Sequence, residues 1–234
     1  MSNYLLALCL AAVPAESATA RFAEIRDSVQ TGTLIFSQGD CLAVKVFSGS
    51  SFTHVATVVR EPAGPVVYDA MNGPGVRKTP MDDYLRFLVP SDVSIVHPAR
   101  PWTESQTQAF VDHLNSQLGR RYRIHHHATG KRTDGVHCAE YLTDALIAAG
   151  QMTASQPSRV SPGSLRKGAL EGGVYAAGAT YAFAEAKPVD PVSETWCQWS
   201  CRETAECCSA TCRQLSRWFL CRAFSTLNRT GGLN

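Results

Sequence analysis

Two apolar runs separated by a short Pro/Gly segment constrain the fold of this chain more than any other feature. Residues 54–60 (HVATVVR) and 65–69 (PVVYD) are rich in β-branched residues, and EPAGP at 61–65 is a hairpin-type connection between them. Neighbouring strands carry whatever chemistry lies on them to one place. Further short strands are expected at 33–37 (TLIFS), 42–47 (LAVKVF) and 93–97 (VSIVH), with a late strand pattern around 174–183. MNGPGV at 71–76 is a turn. TPMDDYLRFL at 79–88 opens with Thr and Pro where a capped short helix would want them. A second helix is expected at 103–118, with Phe110, Val111, Leu114 and Leu118 on one face, and residues 151–168 read as loop. The order of elements indicates an α+β domain over about residues 22–186.

The segment TDGVHCAEYLTDALIAAG, residues 133–150, supplies the first chemical feature. Ala139, Leu142, Ala145, Leu146 and Ala149 recur at helical spacing, and Gly150 suits the position just past a helix end. Cys138 therefore falls in the first turn, where unpaired N–H groups and the helix dipole favour an anion such as a thiolate. The plainer reading is a buried structural cysteine. His54 opens one strand of the expected hairpin and Asp69 ends the other. If the two strands pair, the carboxylate can orient the imidazole. Cys138, His54 and Asp69 would then be nucleophile, base and orienting group. Taken singly, His54 reads equally as a satisfied strand histidine and Asp69 as a cap for the turn at Asn72 and Gly73.

The ordered set GTLIFS, FTHVATVV, VVYDA, GVRKTPMDDYL and HCAEYLTDAL resembles the circularly permuted papain-like enzymes of the NlpC/P60 superfamily. It is most similar to the YiiX-like branch, a cousin of the lecithin:retinol acyltransferase-like branch. The likeness covers roughly residues 29–150. It implies a permuted papain-like fold, with an antiparallel sheet packed against helices. It also implies a cysteine hydrolase of amide, peptide or ester bonds that uses Cys138, His54 and Asp69, with backbone N–H groups at the helix start as the oxyanion site. Tyr68 and His137 are expected beside the pocket as substrate contacts. Three positions depart from the family pattern. Ala56 stands where Gly is usual, Gly32-Thr33 where Gly-Asp is common, and His137-Cys138-Ala139-Glu140 where the acyltransferase branch has Asn-Cys-Glu-His. The last departure argues against a plain acyltransferase. A lipid acyltransferase or thioesterase, and a non-catalytic lipid- or peptide-binding module on the same fold, are the alternatives.

Bulk composition narrows the partners. The 234 residues carry a formal net charge of +2, which gives no reason to expect nucleic acid. Peptide, amide or acyl-lipid substrates are expected, and neither a cofactor nor a metal. His125, His126 and His127 point in different directions and make a poor metal site. They read as a solvated loop before the nucleophile, where Arg120, Arg121 and Arg123 would suit acidic substrate ends. Residues 1–21 read as an N-terminal helix or a weak signal segment, with the helix favoured because no basic n-region precedes the apolar run. Residues 187–234 form a linker and a cysteine-rich tail, which holds six of the nine cysteines between Cys197 and Cys221. Four readings of the tail stay open. It could be a cysteine-lined helix docked on the domain, a disulfide-rich extension, an S-acylated helix touching a membrane surface, or, last, a zinc site. A cytoplasmic or membrane-associated location is favoured over secretion.

Overall fold

The computed structural model describes residues 15–38, 50–88 and 91–183. The expected strand at 42–47, the linker and the cysteine-rich tail lie outside the described residues, as does most of the N-terminal segment. The elements run α1 (Ala15–Ser28), β1 (Leu34–Ser37), β2 (His54–Glu61), β3 (Gly64–Met71), β4 (Gly75–Pro80), α2 (Met81–Leu88) and β5 (Val93–Pro98). They continue with α3 (Glu104–Ser116), β6 (Arg121–Tyr122), α4 (His125–Thr129), β7 (Gly135–Val136) and α5 (Cys138–Ala148). A 3-10 turn (Pro157–Arg159), α6 (Pro162–Glu171) and β8 (Tyr175–Tyr181) complete them.

Six strands form one antiparallel sheet in the order β4-β3-β2-β1-β5-β8, and β6 and β7 form a short parallel pair. The central strands read as nearly unbroken apolar runs because both faces of the sheet are covered. Alternate residues sort into two cores. Leu34, Phe36, Val55, Tyr68 and Val96 join Phe110 and Leu114 of α3 and Tyr141, Leu142 and Leu146 of α5. Ile35, Val58, Val67 and Ile95 join Ile25 of α1 and Tyr84 and Leu85 of α2.

The helix expected at 79–88 begins two residues later. Thr79 and Pro80 instead pair with Val67 and Val66, so β4 extends straight into α2. This edge strand carries Arg77 and Lys78, and its polar alternation hid it among turn and helix signals. α3 is closed at its start by a capping box between Thr103 and Gln106. Leu118, expected on its buried face, lies beyond the helix and is 42% exposed. The region 151–168 is not all loop. Ser161 caps α6, Pro162 occupies its first turn, and Leu165 and Ala169 are buried on one face.

Gly75 has φ +77°, and a Cβ there would collide with the Arg120 carbonyl oxygen. The Val76 N–H donates to that same carbonyl at 2.8 Å. This stitch fixes the start of β4, two residues before Arg77. Gly75→Ala is expected to destabilise the fold by about 2 kcal/mol or more, measured by urea unfolding, since strain and collision add.

Candidate active site

The β3–β4 register places Arg77 directly opposite Asp69. Asp69 is fully buried, and burial by itself would push its carboxyl pKa up. The charged hydrogen bonds more than offset that, and the pKa falls below the ordinary value. Arg77 grips both oxygens, with Nε to Oδ1 at 2.8 Å and a terminal nitrogen to Oδ2 at 3.3 Å. His54, the first residue of β2, meets Oδ2 through Nε2 at 3.2 Å. That contact leaves Nδ1 to face Cys138, the first residue of α5 and the one free cysteine among the described residues.

The thiol lies within hydrogen-bonding reach of His54 and His137. Burial disfavours both charged forms of the Cys138–His54 pair. For the thiol, the hydrogen bonds to the two histidines and the His54 charge prevail and lower the pKa to about 6. For His54, Asp69 and Cys138 prevail and raise it to about 10. Between these values the pair is thiolate and imidazolium.

The two shifts have opposite consequences for stability. The raised His54 contributes stability that is complete below its unfolded pKa of 6.5 and lost as pH rises through about 10. The depressed Cys138 contributes stability that is complete above its unfolded pKa of 9.0 and lost as pH falls through about 6. Between pH 6.5 and 9.0 the folded and unfolded pairs each hold one proton, so this pair leaves stability nearly flat there.

His137, expected beside the pocket, is the N-cap of α5. Its Nδ1 accepts from the Glu140 N–H at 3.3 Å and its Nε2 donates to the Ser158 carbonyl at 2.9 Å. Burial opposes charge on this ring, while the thiol and the Ser158 carbonyl raise its affinity for a proton. Tyr68, expected beside the pocket, is fully buried, and its hydroxyl donates to Asn115 Oδ1 at 2.8 Å. Its place is in the core under α3.

The histidine run is likewise not simply a solvated loop. His126 is fully buried. Its Nε2 accepts from the Thr133 N–H at 2.9 Å, and its Nδ1 donates to Glu140 Oε2 at 2.9 Å. Arg132 lies 3.1 Å from the other Glu140 oxygen and 2.7 Å from Asp144. This network fastens the segment 125–134 to the first turns of α5. Arg120 reaches the carbonyls of Thr133 and Asp134, and Arg123 lies 3.7 Å from Asp134, so neither is reserved for a substrate. Arg77 and the His126–Glu140 pair escaped the sequence reading. The hairpin register could have revealed Arg77. Nothing local marks His126 as buried.

A buried thiol at a helix start, facing a histidine at the end of an inner strand of an antiparallel sheet, defines a papain-like site in which the histidine precedes the cysteine. The chain belongs to the permuted papain-like amidases of the YaeF/YiiX, C92 family, which it matches over residues 28–171. It is thus a cysteine hydrolase of amide or peptide bonds. Among solved structures, the metalloprotein YiiX from Escherichia coli O157:H7 is similar, with a TM-score of 0.53 and 17% identity. The match covers 65% of this chain and 97% of that one. No curated protein matches.

Two substitutions check this geometry. Asp69→Asn is expected to cost about 3 kcal/mol near neutral pH, because it leaves Arg77 and His54 without their buried counter-charge. The loss should shrink as the pH falls below the ordinary carboxylate range, where the unfolded chain takes up a proton that folded Asp69 resists until lower pH; urea unfolding at several pH values measures it. His137→Ala is expected to cost about 1 kcal/mol, and His137→Asn, which retains a capping oxygen, less.

Proposed function

We propose that Cys138 is the nucleophile, His54 the proton carrier and Asp69 the orienting carboxylate in hydrolysis of an amide or peptide bond. The observation that carries this reading is the unbroken line from Arg77 through Asp69 and His54 to the thiol. The Cys138 thiolate attacks the substrate carbonyl carbon. The oxyanion faces the N–H groups of Cys138 and Ala139, which precede the first intrahelical bond from the Tyr141 N–H to the His137 carbonyl. As the tetrahedral adduct collapses, the imidazolium of His54 gives its proton to the departing amine. A thioester remains on Cys138. Water then loses a proton to His54, attacks the thioester, and releases the acid as the thiolate is restored. Asp69, itself held by Arg77, keeps Nε2 occupied so that Nδ1 faces the reacting atoms.

The similar E. coli protein is a metalloprotein. Among the described residues here, no group of three His, Cys, Asp or Glu is placed to hold a metal ion. Both oxygens of Asp69 are taken by Arg77 and His54, and both ring nitrogens of His126 by Glu140 and Thr133. This donor set does not fit a metal centre.

Cys138→Ala is expected to lower amide hydrolysis by about 10⁴-fold or more while the protein stays folded. In the wild type, kcat/KM should rise as pH passes about 6, where the thiolate forms, and fall near 10, where the imidazolium is lost. A Cys138→Ala variant that retains full activity would refute the assignment.

A further inference from the structure

A cavity of about 280 Å³ is lined by Ser50, Phe52, Arg166, Lys167, Leu170 and Glu171, among others. Its Phe52 side lies at the His54 end of the sheet. Phe52 stands two residues before His54 and packs edge-on to Phe36 at 5.7 Å. Ser94, which Arg166 contacts, adjoins Val93, and Val93 pairs with the same Ser37 that pairs with His54. Phe52 and Leu170 both pack on the core that contains Cys138, and Phe52 precedes His54 by two residues, so the lining of the cavity is continuous with the chain that carries the histidine.

Arg166 is the distinctive residue there. Its Nε is buried and has no hydrogen-bond partner. One terminal nitrogen makes a long contact of 3.5 Å with Ser94 Oγ, and the guanidinium sits 5.2 Å from the Phe52 ring centroid. No carboxylate among the described residues lies within ion-pair distance of it. Arg77 and Arg132, by contrast, each meet a buried carboxylate. Glu171, on the rim, is 3.9 Å from Lys167, and both side chains are well exposed. A buried guanidinium N–H with no acceptor is costly, and a planar fork is the geometry that binds a carboxylate in two-point fashion.

We propose that this cavity is a subsite for a carboxylate on the acyl half of the substrate, so that the enzyme prefers acidic acyl groups. Arg166 receives the carboxylate, and Phe52 and Leu170 cover the methylenes that lead back to the scissile bond. This inference rests on Cys138 being the nucleophile, and its test keeps the two apart.

The probes are N-acetyl-glutamyl and N-acetyl-glutaminyl chloromethyl ketones, which differ only in the terminal carboxylate. The Cys138 thiolate displaces chloride from either, and mass mapping of the full chain gives the rate at that residue. The glutamyl reagent is expected to react about tenfold faster, as one charged hydrogen-bonded contact would provide. Arg166→Gln should bring the ratio near one. Arg166→Lys should fall between, and Lys167→Gln should leave the ratio nearly unchanged. Equal rates in the wild type, or a preference that survives Arg166→Gln, would overturn the subsite. Iodoacetamide labelling of Cys138, run in parallel, is expected to be the same in all four proteins, which verifies folding and the thiolate. If Cys138 instead labelled only near the ordinary thiol pKa in the wild type, the nucleophile assignment would fail rather than the subsite.

Discussion

Asp69 is a carboxylate with no access to water, and the neighbouring strands are arranged around that fact. A buried charge is tolerated only when matched and hydrogen-bonded. Arg77 supplies a two-point grip from the adjacent strand, and His54 takes the oxygen that remains within reach. Removing either partner would leave a charge stranded in the interior. The same contact that stabilises Asp69 keeps His54 protonated, and the protonated ring favours the thiolate at Cys138. Stability and the proposed chemistry therefore rest on one chain of charges.

The helix that carries Cys138 is held with comparable care. His137 caps its first turn from one side, and the His126–Glu140 pair ties the preceding segment to it from another. His54 and His137 both reach the thiol, yet they differ in kind. One leans on a carboxylate and can carry a proton. The other has a backbone N–H on one nitrogen and a carbonyl beyond the other, which hold the ring in place.

Much of this was legible in the sequence because it depends on local pattern. The hairpin from His54 to Asp69 follows from β-branched runs around a Pro/Gly turn, and α5 from its apolar spacing up to Gly150. The family likeness followed from the order of five short motifs. What stayed hidden depends on tertiary register. Arg77 looked like an ordinary charge in a turn-to-helix segment until β4 placed it across from Asp69. His126 looked solvent-facing because three adjacent histidines give no periodic cue, and its burial is decided by Glu140, fourteen residues away. α6 carries only a weak sequence signal because its Gly, Ser and Lys residues dilute the apolar face set by Leu165 and Ala169.

The most direct measure of the central claim is the thiolate absorbance near 240 nm, titrated from pH 4 to 10 as the difference between wild type and Cys138→Ala. A thiolate that appears with a midpoint near 6 is expected. A difference spectrum that appears only near 9, the unperturbed value for the thiol, would show that Cys138 is a buried structural cysteine and that the His54–Asp69 pair does not activate it.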